Sequence, residues 1–518
     1  MAVTNFLDRG TRLNPQGKCL IGGDKAYSYD EVQKFSYRTA NKLLSLGLGK
    51  GAKGAILSIN DPTAYACLFG IMRAGMVWVP VNPKNNVEEN QYIMDSFDCE
   101  ILFFHSTFSA VISGLVISLP KIRHFVCIDK SVDDAPFIDD WFSDVSADAP
   151  HVSLDPADLA MLSPTGGTTG RPKGVQISHR NLANFAATYM AAANYDPACP
   201  PVNLAAAPLT HAAGVFGFPV LAQGGTIIIM TAPDIPLMLN AIEKHRVTDL
   251  FLPPTVIYRM LEETGIETRD FSSLKYFVYG AAPMSVDKLR KAITTFGPVM
   301  TQVFGQTEAP CVITIMTPSQ HMKDGKPADD NRLSSCGFPT PLVDVAILDE
   351  GGRPLGDNEP GEICVKGDLV MTGYYKNPEA TAAAIVDGWL HTGDVAYRDT
   401  EGFIHIVDRK KDMIITGGFN VFPQEVEQVI WSHSAVQDCA VIGVPDEKWG
   451  EAIRAVVELN PGESVSDKEL IALCKEKIGS VKAPKAIDFV ELLPRSSNGK
   501  VLKRTLRDQY WQGQARRI

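Results

Sequence analysis

Between an apolar run, Ala157 to Leu162, and a helical pattern with apolar residues at Leu182, Phe185, Ala186, Tyr189 and Met190 lies one segment that restricts the fold more than any other. It reads Ser163-Pro164-Thr165-Gly166-Gly167-Thr168-Thr169-Gly170-Arg171-Pro172-Lys173-Gly174. Its four glycines and three threonines leave backbone N–H groups and hydroxyls with little steric cover, and Arg171 and Lys173 add positive charge. Such a loop can wrap a polyphosphate. It is not a Walker A loop, because Lys173 follows Pro172 and precedes Gly174 rather than Ser or Thr. Gly47-Leu48-Gly49-Lys50-Gly51 is glycine-rich for another reason: it closes the helical pattern Tyr37–Leu46 and reads as a helix C-cap and turn.

Around the loop, from Ser163 to Val303, short β-branched or aromatic runs alternate with amphipathic stretches, the pattern of a sheet wound with helices. Strands are expected at Thr226–Met230, Thr248–Leu252 and Lys275–Tyr279, with a helix over Ser285–Phe296. The stretch Ser58 to Pro83 reads as a helix over Thr63–Arg73 and a strand Val77–Val81, so the first third is expected in a related layer. Beyond Ser335 hairpins dominate, at Asp344–Leu348, Glu362–Gly367 and Phe403–Val407. A mixed stretch follows, with helices over Pro423–Ser432 and Asp467–Gly479 and strands at Ala435–Val444 and Ala452–Leu459. The expected fold class is α/β: a large N-terminal domain of wound α/β sheets plus a β-rich subdomain, residues 1–410, and a small mobile α+β C-terminal domain, residues 411–518.

Composition excludes several functions. With 518 residues the chain is long enough for several domains, and its formal charge of −11 argues against sequence-independent nucleic-acid binding. The ten cysteines show no CxxC pair and no His/Cys cluster at zinc spacing, and their wide separation fits buried thiols in a reducing compartment. The N-terminus lacks a signal-peptide pattern, the apolar stretch Ala64–Val81 is broken by Arg73, and the end, Ala515-Arg516-Arg517-Ile518, is not a peroxisomal address. A cytoplasmic protein without an integral membrane segment is expected, and a homodimer on frequency alone.

Thr165 to Gly174 resembles the phosphate-loop signature of the adenylate-forming superfamily: acyl-CoA synthetases, nonribosomal-peptide adenylation domains and luciferases. Further segments match in the family's order. Phe304-Gly305-Gln306-Thr307-Glu308 resembles its aromatic-Gly-x-Thr-Glu motif and His391-Thr392-Gly393-Asp394 its Thr-Gly-Asp motif. Asp408-Arg409-Lys410-Lys411-Asp412 with Ile415-Thr416-Gly417-Gly418-Phe419-Asn420 resembles the hinge motif, and Pro494-Arg495-Ser496-Ser497-Asn498-Gly499-Lys500 the C-terminal lysine motif.

The resemblance implies an AMP-forming acyl-CoA synthetase using ATP, Mg2+ and coenzyme A. A carboxylate attacks the α-phosphate of ATP to give an acyl-adenylate and pyrophosphate, and a thiol then displaces AMP. The first step drives one anion onto another, so cations and donors must surround it. By this resemblance Lys500 bridges the carboxylate and α-phosphate oxygens, Thr307 donates to the α-phosphate, and Glu308 binds Mg2+, which prefers carboxylate and phosphate oxygens. The nucleotide is assigned to Thr165, Gly166, Gly167, Thr168, Thr169, Gly170, Lys173, Gly280, Ala281, Ala282, Phe304, Gly305, Gln306, Asp394 and Arg409. Asp394 accepts from the ribose hydroxyls. Phe304, where the family more often has Tyr, stacks on adenine. His211, in Pro208-Leu209-Thr210-His211-Ala212-Ala213-Gly214, gates the carboxylate end of an acyl pocket that also includes Phe216, Gly280, Pro283 and Val312. The family rotates its C-terminal domain between half-reactions, which makes Lys411 the hinge, where many members carry Asp, and Gly417 and Gly418 the lining of the coenzyme A tunnel.

Eighteen residues follow Lys500, too few for a carrier-protein domain, so a diffusible thiol acceptor is expected. The alternatives are a stand-alone adenylating enzyme loading a carrier protein, a luciferase-like oxygenase, or a nucleotide-binding regulator that has lost catalysis. The segments His211–Phe218, Tyr279–Pro283 and Phe304–Ile313 hold one acid, Glu308, and no Lys or Arg. A hydrophobic monocarboxylate is therefore expected over a dicarboxylate, whose second buried charge would need a cation.

Overall fold

The computed structural model describes residues 1–133, 135–165, 171–409, 412–495 and 501–511. Two sheets form the large part. The first has nine strands in the order 338–339, 309–316, 300–306, 276–279, 249–252, 202–205, 226–229, 18–22 and 25–28. Its six inner strands, from 300–306 across to 18–22, run parallel. The second has seven, in the order 373–374, 173–178, 159–165, 77–81, 53–57, 99–104 and 124–127. Parallel strands joined through helices must be covered on both faces, and Val77–Val81 is accordingly buried at every position.

Alternation along the strands divides the core. Ala205, Phe251, Val278 and Val303 join a cluster shared with Ile56, Trp78 and Met161 of the second sheet, while Leu204, Leu250, Phe277 and Tyr279 pack on the opposite face. Helices Tyr29–Ser45, Pro62–Arg73, His179–Ala193 and Ala212–Ala222 supply side chains to the shared cluster. Ser28, Asp61 and Ser178 cap the first three with side-chain oxygens. Gly47, at φ 74°, ends the first: Gly47 N–H donates to Leu44 and Leu48 N–H to Leu43, the bond pair of a Schellman turn.

Residues 344–348, 361–366, 385–386, 389–398 and 404–409 make a five-stranded antiparallel sheet. From Ile414 on, strands 414–416, 419–421, 436–446, 450–459 and 486–490 form another sheet with helices Pro423–Trp431 and Asp467–Lys482. Its cores, around Val426, Val441 and Val457 and around Ile442 and Leu506, contain no residue before Ile414.

The structure departs from the sequence-based expectation in two places. The helix expected around Leu182 to Met190 runs over His179–Ala193, and before it the structure adds an unexpected strand, Lys173–Ser178, paired antiparallel with Leu159–Thr165. Gln176 and Lys173 break the apolar run there, as they do in a half-exposed strand. The helix expected to stop at Gly479 resumes after it, because Gly479 takes φ 81°, ψ 165° and breaks the helical path without ending it. The ten cysteines are free, and eight are buried.

Candidate active site

The carboxyl ends of the parallel strands open toward one region, where ligands bind in open α/β sheets. Strand 276–279 delivers Gly280, and strand 300–306 delivers Phe304 to Gln306 before a two-residue turn at Thr307 and Glu308. Gly280 is required by packing: a Cβ there would lie 2.4 Å from the Val303 carbonyl oxygen. Gly305 likewise sits against the backbone of Cys311, which a Cβ would approach to 2.6 Å. Cys311 is itself at φ 61°, and the strand register shifts between Phe304 and Gln306. This bulge leaves Phe304 to Thr307 half-buried. Gln306 Nε2 is buried without a hydrogen-bond partner among the described residues, a donor that suits a polar ligand. Ala281 lies at φ 66° and is exposed, as is Pro283.

Thr165 and Lys173 are cross-strand partners at the base of the hairpin. Gly166 to Gly170 lie outside the described residues, as do Lys411 and Lys500. The Lys173 ammonium lies 4.2 Å from the centroid of the Tyr374 ring, and Tyr374 Oη donates to Glu308 Oε1 at 2.7 Å. Tyr374 reaches this position because Gly373-Tyr374 pairs with Val175 and Gln176 of the hairpin. Met371 N–H closes on the Glu308 carbonyl at 2.8 Å. One buried carboxylate is thus tied to the phosphate-loop base through one phenol. Burial, with Glu308 alongside, raises the Tyr374 pKa, so the phenol stays a donor. Tyr374 escapes motif reading; its only sequence signal is the Gly373-Tyr374-Tyr375 run, which reads as loop until strand pairing places it.

Asp394 is 7% exposed and faces Arg409 across two antiparallel strands, Nε to Oδ1 3.4 Å. Gly393, at φ 74° within strand 389–398, donates its N–H to Glu362 at 2.9 Å and so ties Thr392-Gly393-Asp394 to the neighbouring strand. A carboxylate braced by a guanidinium fits a sugar diol. Glu308 supplies a single buried carboxylate, the donor set from which Mg2+ is held when phosphates and waters complete its shell; among the described residues no group of three or more His, Cys, Asp or Glu assembles.

His211 precedes helix Ala212–Ala222, and its Nδ1 lies 2.8 Å from Thr210 Oγ1. Burial, with the Lys84 ammonium nearby, lowers its pKa to about 4. The ring is therefore neutral from pH 8 down to about pH 5, and acquires charge only as the pH approaches 4. A His211→Gln variant is expected to change the rate of the first half-reaction by the same factor at pH 5.5 and pH 8. A ratio to wild type that swings around pH 6.5 would show that the ring titrates in place.

Phe216 is 3% exposed and stacks on Phe251 at 5.3 Å, with Tyr189 edge-on at 5.0 Å; Val312 is fully buried. Phe216, Phe251, Tyr189, Tyr195, Val278 and Asp249 pack against one another in the interior, with no free space among them large enough for a water molecule. Asp249 was not apparent from the sequence. It is 2% exposed, accepts from Tyr195 Oη at 2.6 Å and from the Thr248 hydroxyl, and is pushed up to about 6 by burial.

Gly417 and Gly418, at φ 58° and 83°, turn the hairpin 414–416/419–421. Gly417 packs under Trp449, where a Cβ would meet the ring at 2.5 Å. Residues 417–420 are exposed. No helix among the described residues is long and apolar enough to cross a membrane.

Residues 7–375 match the AMP-binding enzyme family and residues 425–500 the AMP-binding enzyme C-terminal domain. A medium/long-chain-fatty-acid–CoA ligase, FadD8 of Mycobacterium tuberculosis, is 37% identical over 92% of this chain and 84% of the relative. Feruloyl-CoA synthase of an Amycolatopsis species is 34% identical over 97% of this chain and 98% of its own. The amide bond synthetase McbA from Marinactinospora thermotolerans superposes with a TM-score of 0.88 at 27% identity, over 98% of this chain and all (100%) of that one. A shared fold alone would leave the chemistry open, but here both family matches fall in order around a nucleotide-type site, and the chain belongs to the AMP-binding enzyme family, the adenylate-forming superfamily of AMP-forming acyl-CoA synthetases.

Proposed function

We propose that this acid–thiol ligase activates a hydrophobic monocarboxylic acid in the cytoplasm, with Mg2+–ATP as the nucleotide and coenzyme A as the acceptor. The observation that carries the site assignment is the line Lys173–Tyr374–Glu308, which couples the phosphate-loop base to a buried carboxylate. Bound at Glu308, Mg2+ would neutralise phosphate charge. Phe304 and Gly280 to Ala282 receive the base, and Asp394 with Arg409 the ribose. Thr307 and the hairpin residues Thr165 to Lys173 hold the phosphates. The substrate carboxylate, oriented at His211, attacks the α-phosphorus; pyrophosphate leaves with the bridging electron pair, and Lys500 offsets the charge. In the second step the thiol sulfur attacks the acyl carbon, AMP departs, and the thiol proton passes to solvent. We place the domain boundary at 410/411 and the hinge at Lys411, with Gly417 and Gly418 lining the thiol path.

The acyl preference is supported by the segments His211–Phe218, Tyr279–Pro283 and Phe304–Ile313, which hold no Lys or Arg. A second buried carboxylate among those segments would find no cation. In a pyrophosphate-release screen, medium-chain aliphatic and aromatic monocarboxylates are expected to exceed malonate by tenfold or more in kcat/KM. AMP and acyl-CoA should accumulate together only when coenzyme A is present. Faster turnover with malonate would overturn the acyl assignment, and transfer to a carrier protein but not to coenzyme A would overturn the acceptor.

A further inference from the structure

The strand 404–409 belongs to the antiparallel sheet of the large part, and among the described residues the apolar clusters from Ile414 on are separate ones. The seam between them is crossed by a buried charge cluster. Asp408, 6% exposed, sends Oδ2 to the backbone N–H of Gln424 at 2.9 Å, in the first turn of helix Pro423–Trp431. Phe422, the residue before that helix, provides no side-chain cap, so Asp408 satisfies the helix end from across the seam. The same oxygen lies 3.9 Å from Lys503 Nζ, and Lys503 Nζ lies 2.7 Å from Glu427 Oε1. Glu427 is 3% exposed and also accepts from Val441 N–H at 2.7 Å, which anchors it in the C-terminal sheet. Burial alone would lower the Lys503 pKa, but Glu427 and Asp408 hold it up, so the ammonium is charged. Gln428 Nε2 also reaches the Met284 carbonyl across the seam at 3.4 Å, and Arg507 Nη1 lies 3.4 Å from Asp412 Oδ1 in the connecting segment.

We propose that Asp408 and Lys503 form a latch that holds the C-terminal unit in the orientation for the first half-reaction. The inference rests on the proposed turn of that unit between half-reactions. Residues 417–420 are exposed here, and a Cβ on Gly418 would meet nothing within 4 Å. That leaves the proposed thiol-path hairpin facing solvent, so the latched orientation is not the one for acyl transfer. Lys503 lies three positions beyond Lys500, and its anchorage also fixes one end of the segment that carries the catalytic ammonium. Asp408 and Lys503 touch no reacting atom in this scheme; they are positioning residues. Turning the unit separates Asp408 from both Gln424 N–H and Lys503, whereas the Lys503–Glu427 pair travels intact. The strength of the Asp408 contacts therefore sets the partition between half-reactions.

The test uses the full-length enzyme with an acid chosen from the screen. Two rates are measured for Asp408→Ala and Lys503→Met: single-turnover pyrophosphate release without coenzyme A, and acyl-CoA formation from supplied acyl-adenylate and coenzyme A. The first is expected to fall about tenfold and the second to stay level or rise, while Lys503→Arg restores the wild-type ratio. Trypsin gives a readout that needs no substrate: cleavage after Arg409, Lys410 or Lys411 should accelerate at least threefold in both variants. Asp408→Asn, which can still accept from Gln424 N–H but has no charge for Lys503, should fall between wild type and Asp408→Ala and serves if the alanine variant does not fold. Equal loss in both half-reactions, or an unchanged ratio with unchanged cleavage, overturns the latch. A wild-type protein that releases no pyrophosphate with any acid instead refutes the proposed function, and the cleavage rates still decide the latch.

Discussion

Lys500→Ala is expected to slow pyrophosphate release by about 10²–10³-fold, or ~3–4 kcal/mol of transition-state stabilisation, and to leave transfer from supplied acyl-adenylate to coenzyme A within about threefold. The asymmetry follows from charge. In the first half-reaction a carboxylate oxygen approaches a phosphate that already bears negative charge, and a low-dielectric site magnifies that repulsion. In the second, a thiol displaces AMP from a mixed anhydride, and the charge of the incoming group is no longer opposed by pyrophosphate. The described residues that flank the segment bearing this ammonium are firmly held. On one side of residues 496–500, Arg495 pairs with Asp438 at 2.8 Å and with Glu458 at 3.2 Å. On the other, Val501 forms an antiparallel bridge to Arg495, and Leu502 N–H donates to the Pro494 carbonyl at 2.8 Å. Both ends of the segment are therefore clamped together, which lowers the entropy of presenting its tip. Lys500→Arg should recover only part of the rate, because a planar guanidinium cannot replace a compact point charge between two oxyanions. Mixed anhydride formed by Lys500→Ala at the wild-type rate would remove the central electrostatic element of the proposed mechanism.

The parts of this molecule that could be read from its sequence are those where a local pattern has one structural solution. Asp344–Leu348 and Val77–Val81 appear at the expected residues, and Gly47 ends a helix as a C-cap glycine should. The strand that follows the glycine-rich segment is not legible in the sequence. Gly174 to Ser178 could begin a helix or return as a strand, and pairing with Leu159–Thr165 decides it. Tyr374 and Asp249 were missed for a related reason. Their partners lie 66 and 54 positions away, Glu308 for the first and Tyr195 for the second, and no local period encodes such a contact. The Asp408–Lys503 pair spans 95 positions by number and joins a strand end to a short helix. In each case burial of the partnered polar group carries the information, and burial is a property of the fold.

Glu308→Gln is expected to slow pyrophosphate release about a hundredfold and to raise the Mg2+ concentration for half-maximal rate about tenfold, with the ligand-free protein melting within about 2 °C of wild type. The substitution is close to isosteric, and the amide oxygen can still accept from Tyr374 Oη, so the turn at Thr307 and Glu308 and the Met371 N–H contact to the 308 carbonyl persist. What disappears is the negative charge that would hold Mg2+ in the proposed site. Tyr374→Phe separates charge from position. It keeps the ring under Lys173 and the carboxylate itself, but removes the hydrogen bond that orients Oε1. That loss is worth about 1–1.5 kcal/mol, near tenfold, and should be felt in the rate at saturating Mg2+ more than in the Mg2+ requirement. The pair of variants therefore distinguishes a ligand from the residue that aims it. If Glu308→Gln leaves the Mg2+ dependence where wild type has it, Glu308 is a structural partner of Tyr374, and the metal must be held by phosphates and waters without a protein carboxylate.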